Sequence, residues 1–581
     1  MSATNRRHGA PDANAEAIAL FAVLSLAALV LLFTWVPVHV SSWREGHEVP
    51  ANPFTLVVGL VTGDVAWSST ATVAAVVLGV VVVVLAALSV AALVRLKRRR
   101  ARVDSAAARM GRGREVAPTS RREVGRTAER LGVSGTPGLV VARGVAGGAE
   151  VWQDWESVSV DIWGPRAGKT SARAIPAIVE APGAVVATSN KRDLCDATRG
   201  VREKHGRVWV FDPQGLVDEP VTWWWNPLGS VTNEVTAASL ADVFAHAARR
   251  PGAKTDAYFD AAAVDLLANF LLAAAIGGKP ITQVYLWITD PNSDEPAILL
   301  DDAGFTLPAA AVRGVVNAPD KQRAGVYGTA QQLVSFLTNA EATRWVTPQP
   351  GKPQFDPVAF ATSSDTLYSL SKEGRGNAGP LVTALTVAVC EAAEHTAKSL
   401  PGGRLGTPMV AVLDEAANVC RWNELPNLYS HYGSRGICVL TFLQSWSQGV
   451  EVWGREGMRK LWSAATVKVY GGGVSEVEFL DELSRLIGET EFVDVSTSYN
   501  GRGGGRSTSR QRRRERILDV ADLGALDRGR IVVFAAGARP LLGRTQPWWD
   551  SARAAEISAS LRRHDPAKTT AERNYTAIEE L

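Results

Sequence analysis

Two short stretches, far apart in the chain, carry complementary halves of one chemistry. In Gly164, Pro165, Arg166, Ala167, Gly168, Lys169, Thr170 and Ser171, Gly168 frees backbone N–H groups to wrap phosphate oxygens. Lys169 can reach the β- and γ-phosphates of a nucleotide, and the Thr170 hydroxyl can ligate magnesium. In the second stretch, the apolar run Val410 to Leu413 ends in Asp414 and Glu415. Such a run suits a buried parallel strand, with Asp414 holding the metal shell and Glu415 polarising water. Together the halves describe a P-loop ATPase site that uses ATP and Mg2+.

The remaining chemistry-bearing residues exclude other classes. Cys195, Cys390, Cys420 and Cys438 form no CxxC pair, and the eight histidines show no ligand spacing. These thiols are expected to be buried and reduced, and magnesium is the only metal expected. With 62 basic and 59 acidic residues in 581, there is no global polyelectrolyte signal, so charge is read locally.

The elements that must position the site begin with a membrane anchor. Residues 17–36 and 69–94 contain no charged side chain, and each is long enough to cross a hydrocarbon core as a helix. Arg6 and Arg7 precede the first span, and Arg95, Lys97, Arg98, Arg99, Arg100 and Arg102 follow the second. This bias places residues 1–16 and the chain after 94 on the cytoplasmic side of the cell membrane, with a short external loop between the spans. Residues 95–143 are expected to be a basic cytoplasmic linker: 13 Lys/Arg face 4 Asp/Glu between 95 and 130, which suits contact with anionic membrane lipid.

From about residue 144 short β-rich runs alternate with helical stretches, the pattern of a parallel sheet covered by helices. Strands are expected at 156–162, 184–188, 208–211, 365–370, 436–444 and 466–470. The stretch between Lys169 and Asp414 far exceeds one or two βαβ crossovers of ~30 residues each. It carries helical periodicity at Leu240, Val243, Phe244 and Ala247 and again from Phe259 to Phe270. The resulting fold class is α/β: a RecA-like P-loop ATPase domain (144–228 and 347–550) with an inserted all-α domain (229–346), preceded by two transmembrane helices and followed by a tail (551–581). Gln444, ending the strand after Glu415, falls at the carboxyl edge of the sheet, where ligands bind, and can orient the attacking water or sense γ-phosphate. Trp223, Trp224 and Trp225 beside a turn are read as packing a loop onto the core rather than stacking on bases. Residues 501–516 hold seven arginines against one glutamate, among them Arg506, Arg510, Arg512, Arg513 and Arg514. They form a basic hairpin or loop able to neutralise nucleic-acid phosphates without reading sequence, with solvated charge as the alternative.

Taken in order, the two spans, the Gly164–Thr170 loop, the segment from Thr188 to Asp193, Val210 to Gly215, Ala411 to Val419, and Gly433 to Gln448 resemble the type IV secretion coupling proteins, the TraG/TraD-like conjugation ATPases. The resemblance covers nearly all of residues 1 to 550. It implies a hexameric ring that feeds a relaxase–single-stranded DNA complex, or a protein, to the components of a type IV secretion channel. It also makes Arg435 the candidate to reach a neighbouring subunit's γ-phosphate, with Arg375 as a competitor. One departure stands out: Trp163 occupies the expected first-glycine position, and Gly164 is expected to supply the turn one residue late. Three rivals stay open: an FtsK-like pump of double-stranded DNA, for which no winged-helix reader is read after residue 550, a protein-effector secretion ATPase, and a catalytically silent membrane scaffold.

Overall fold

The computed structural model describes residues 13–46, 48–98, 102–249, 256–372, 374, 378–499 and 506–566. The chain divides into two compact units, residues 1–102 with 491–514, and residues 103–490 with 515–581.

In the first unit the helices Ala13–Glu45 and Ser69–Arg98 pack against one another. Residues 69–89 are long and apolar enough to cross a membrane and leave Val73, Val76, Val80 and Val83 exposed along their length. Residues 1–12 lie outside the description. The first helix does not stop at 36 as expected but runs through Pro37 to Glu45. The connecting loop holds an unexpected helix, Pro53–Thr62. It is capped by Asn52, whose side chain accepts from the Phe54 N–H, and it ends at Gly63 with φ 86°. The Asn52-Pro53 start and the Gly63 stop were present in the sequence.

The second unit is built on an 11-stranded sheet. Its strands are β1 (Leu139–Gly144), β2 (Glu150–Gln153), β3 (Ser159–Ile162), β4 (Val185–Ser189), β5 (Val208–Phe211), β6 (Thr366–Leu370), β7 (Met409–Leu413), β8 (Ile437–Leu443) and β9 (Val467–Tyr470). A separate two-stranded ribbon, β10 (Glu489–Tyr499) with β11 (Arg506–Arg516), precedes the last two sheet strands, β12 (Arg530–Ala535) and β13 (Leu541–Arg544). The sheet order is β2-β1-β13-β12-β9-β3-β8-β7-β4-β6-β5. From β9 to β5 every pairing is parallel, and strands β3, β4, β6, β7 and β8 are buried along their full length, as strands covered by helices on both faces must be. The expected purely parallel sheet is incomplete: β12, β13, β1 and β2 extend it by antiparallel pairing.

Part of the expected linker is therefore structure. Residues 103–119 form 3-10 turns laid on β12 and β13, where Asp104 takes two hydrogen bonds from Arg530 (2.6 and 2.9 Å) and Glu115 pairs with Arg539 (2.8 Å). Arg143, Arg544 and Arg530 are register neighbours across three strands, a like-charge row that Asp104 and Glu150 relieve. It is the acidic residues of this stretch, Asp104 and Glu115, that meet Arg530 and Arg539; of its own basic residues, Arg126 pairs with Glu123 and Arg130 with Glu156. The described start of the expected tail also folds: helix Ala554–His564 packs on helix Asp193–Arg202, with Ser560 Oγ accepting from the Gly200 N–H and donating to the Asp196 carbonyl. Residues 567–581 lie outside the description.

Between β5 and β6 the chain is helical, with helices Glu234–Ala248, Ala257–Ile276 and Asp320–Leu333 in mutual contact. The apolar helix Ala257–Ile276 could span a membrane by length and composition, yet Ala263, Leu267, Leu271 and Leu272 are fully buried, so it is the core of this helical region. Trp223 is buried in an aromatic cluster with Trp209, Phe211, Trp345 and Phe355, and the buried Trp225 donates its backbone N–H to the Trp345 carbonyl at 2.8 Å. All four cysteines are buried and unpaired.

Candidate nucleotide site

Strands β3, β8 and β7 lie side by side and parallel, so the residues following their carboxyl ends emerge at one edge of the sheet. After β3 come Trp163 and the loop Gly164 to Lys169; after β7 come Asp414 and Glu415; after the strand between them comes Gln444. Gly164, Pro165, Arg166, Ala167, Gly168, Lys169, Thr170, Ser171, Glu415 and Gln444 line one cleft of about 630 Å³, which Lys191, Asp193, Arg528 and Trp548 also border.

The two halves meet directly. Lys169 Nζ lies 3.0 Å from Asp414 Oδ1 and 3.6 Å from Glu415 Oε1, and all three side chains are nearly buried. Lys169 Nζ and Asp414 Oδ1 face each other without hydrogen-bond geometry, and Asn190 Oδ1 beside them also has no hydrogen bond. Burial pushes the Asp414 carboxyl above its ordinary range, and the Lys169 ammonium pulls it back. Buried polar atoms left short of partners are costly, and this set fits a ligand that brings both negative charge and a divalent cation.

Backbone strain is concentrated here. Of the three non-glycine residues with positive φ among the described residues, two belong to the site: Arg166 (58°) in the loop and Glu415 (53°) at the strand end. Glu415 adopts the left-handed conformation as the start of helix Ala416–Val419, and its Oε2 accepts from Asn190 Nδ2 at 3.1 Å. Thr170 opens a five-residue π-turn, Thr170–Ala174, that continues into helix Ile175–Glu180. On this turn the buried Arg173 bonds Asp161 of β3 at 2.8 Å, tying the loop's helix to its strand.

The displaced glycine is explained by packing. Trp163 does not enter the cleft with its side chain: it is 1% exposed and sits in an apolar cluster with Ala172, Val469 and Ile531. Its indole lies flush on Gly471, where a Cβ would come within 0.9 Å of Nε1. Gly164 does not make the left-handed turn expected of it; that falls to Arg166 and Gly168 (φ 96°). Gly164 instead permits close approach, since a Cβ on it would come within 2.1 Å of the Gly473 carbonyl oxygen. Gln444 leads into a capped helix: its N–H donates to Gln448 Oε1 at 3.0 Å, Ser445 caps helix Trp446–Ala464, and Glu476 accepts from the Trp446 and Ser447 N–H groups at 2.8 and 2.9 Å.

Arg435, also singled out from sequence, is not brought to the cleft. Arg435 precedes the amino end of β8, opposite Gln444 and separated from it by seven strand residues, about 23 Å at ~3.3 Å each. Its Nη1 donates to the Gly403 carbonyl at 2.8 Å. Arg375 lies outside the described residues. The backbones of Arg506 and Arg510 fall in β11, and their side chains are outside the description. Arg512, Arg513 and Arg514 are exposed on the same strand, with Arg512 and Arg514 near Glu491 (3.8 and 3.7 Å). Arg528 and Trp548, which do border the cleft, carry no local motif that marks them.

Residues 408–528, which include Asp414, Glu415 and Gln444, match the family described as the TraM recognition site of TraD and TraG. No curated protein matches this chain in sequence. Among solved structures, the fold is similar to that of the unbound bacterial conjugative coupling protein TrwBdeltaN70, with a TM-score of 0.53 at 18% identity over 74% of this chain and 91% of that one. It is similar to the plasmid coupling protein TrwB in complex with the ATP analogue ADPNP (TM-score 0.53, 17% identity, 74% and 92% covered). TrwB in complex with ADP and Mg2+ gives a TM-score of 0.52 at 16% identity over the same shares. The likeness to the TraG/TraD-like coupling proteins thus stands on a sequence match over residues 408–528 and on a fold shared over 74% of this chain.

Proposed function

We propose that this chain is a membrane-anchored coupling ATPase, whose hydrolysis of ATP drives a relaxase–single-stranded DNA complex, or a protein, toward a type IV secretion channel. The observation that carries the reading is the meeting of Lys169 with Asp414 and Glu415 in a cleft shared with Gln444, within a TrwB-like fold. The loop N–H groups from Arg166 to Thr170 and the Lys169 ammonium hold the phosphates. The Thr170 hydroxyl and Asp414 would hold Mg2+, which supplies charge neutralisation at the phosphate oxygens. Glu415 orients the attacking water and takes its proton, while the Gln444 carboxamide positions that water against the γ-phosphate. Arg435, remote from its own cleft, acts in trans within a hexameric ring, where its charge makes hydrolysis depend on assembly. The match to a TraM recognition site supports docking of a conjugation partner protein on residues 408–528. The long apolar helices near the N-terminus support anchoring in the cell membrane with the ATPase region cytoplasmic, and the arginines of β11 support contact with DNA phosphates.

The test is steady-state ATP hydrolysis by the full chain in detergent, with and without single-stranded DNA, with assembly followed in parallel and Lys169→Ala as the blank. Turnover that DNA stimulates and the blank abolishes is the expected result. An assembled ring with no turnover above the blank overturns the motor and leaves the scaffold; turnover that responds only to a protein partner replaces DNA as cargo.

A further inference from the structure

The cleft is lined by two kinds of residue. Lys169, Lys191, Asp193, Glu415 and Arg528 are charged, whereas Ile175, Ala197, Leu561 and Trp548 are apolar. Ile175 and Ala197 are buried core residues, whereas Trp548 and Leu561 pack on that core while remaining partly open.

Trp548 is held firmly for a partly exposed aromatic. It begins a short 3-10 turn, Trp548–Asp550, behind the extended Pro547. Its carbonyl accepts from both the Ser551 N–H (3.1 Å) and the Ser551 hydroxyl (2.6 Å). Its ring meets Trp549 edge-on, with centroids 5.6 Å apart at 77°. The next element, helix Ala554–His564, is bolted to helix Asp193–Arg202 by Ser560, by Arg192 donating to the His564 carbonyl, and by the Lys204–Glu556 ion pair. A large ring packed on an apolar floor and sharing a cleft with a phosphate cradle offers a surface on which a planar heterocycle can stack.

We infer that Trp548 is the platform on which the base of the bound nucleotide stacks, so that the segment after β13 forms the base subsite of the site whose phosphate end is the Gly164–Ser171 loop. This rests on the nucleotide-binding reading above. It assigns to the C-terminal helix the task of holding the platform in place, and it makes affinity depend on the base as well as on the phosphates.

The test compares equilibrium binding of ATP and of inorganic tripolyphosphate, which lacks the base, to the full chain and to Trp548→Leu, Trp548→Phe and Lys169→Ala. Leucine keeps apolar packing without a ring; phenylalanine keeps a ring. Trp548→Leu is expected to weaken ATP by about 5- to 150-fold while leaving tripolyphosphate within about twofold, and Trp548→Phe to retain most ATP affinity. Equal loss of both ligands in Trp548→Leu would make the residue purely structural and overturn the inference. ATP binding unchanged in Trp548→Leu but abolished in Lys169→Ala overturns the base platform and leaves the phosphate site standing. If the wild-type chain binds neither ligand, the nucleotide reading fails and this inference with it. Weakened binding of single-stranded DNA with ATP unaffected would reassign the ring to the cargo.

Discussion

Glu415 combines two properties rarely found in one residue, a buried carboxylate and a left-handed backbone. For an L-residue other than glycine that conformation costs roughly 1–2 kcal/mol, and the strand end tolerates it because β7 is fixed between β8 and β4. The turn aims the carboxylate at Lys169, 3.6 Å away, instead of along the strand. Glu415→Gln keeps the shape and the amide contact to Asn190 while removing the base. It is expected to bind ATP with near wild-type affinity and to lose about 10²- to 10⁴-fold in turnover, read by parallel binding and single-turnover assays. Comparable losses of binding and turnover would place Glu415 in ligand binding instead.

Among the elements, the phosphate loop is held by a close contact between two glycine-bearing segments. Gly164→Ala forces a Cβ against the Gly473 carbonyl, so the loop must move off the Gly471–Gly473 turn. A destabilisation of about 1–3 kcal/mol by denaturant melting is expected, together with weaker nucleotide binding. Gly125→Ala, within helix Arg121–Arg130 where a Cβ meets nothing within 4 Å, is the control and is expected to stabilise by about 0.4–1 kcal/mol. The C-terminal helix carries a pH dependence. Burial, with Arg199, Arg563 and Arg192 nearby, depresses His564 from 6.5 to about 4, while Glu203 lies 4.0 Å off. Between pH 6.5 and about 4 the unfolded chain binds a proton that the folded chain refuses, so stability falls as pH drops through that window. His564→Gln removes this component. Its urea midpoint is expected to decline less than that of the wild type between pH 7 and pH 4.5, and identical slopes would show that His564 does not contribute.

For the whole molecule, the charge that matters is local, because the formal net charge is only +3. Arg512, Arg513 and Arg514 on β11 are exposed, and replacing all three by Gln is expected to reduce the slope of log K against log salt for single-stranded DNA by about 2. An unchanged slope would place the DNA path elsewhere. Much of the architecture was legible in the residues themselves. The glycines and the Lys169-Thr170 pair of the loop, the apolar runs of β4 to β9 and the hydropathy of the long helices are local signals, since backbone freedom, side-chain period and transfer out of water act over a few residues. The convergence of Lys169 with Asp414 was readable because each half sits at the carboxyl end of a parallel strand, and a parallel sheet brings those ends to one edge. Other features depended on partners hundreds of residues away. Trp163 at the first-glycine position looked like an obstruction until Gly471 gave its ring a place in the core. The basic stretch after residue 102 looked like a linker until β12 and the turn after it supplied Arg530 and Arg539 for Asp104 and Glu115. Arg528, Trp548 and the helix of residues 554–564 reach the cleft or its floor only through tertiary packing. Composition and spacing therefore determined which groups could do chemistry, the parallel strands β4 to β9 and which helices are long and apolar. Which side chains face the cleft, which fill the core behind it and which antiparallel strands extend the sheet were decided by the fold, because those are contacts between distant residues and no local pattern encodes them.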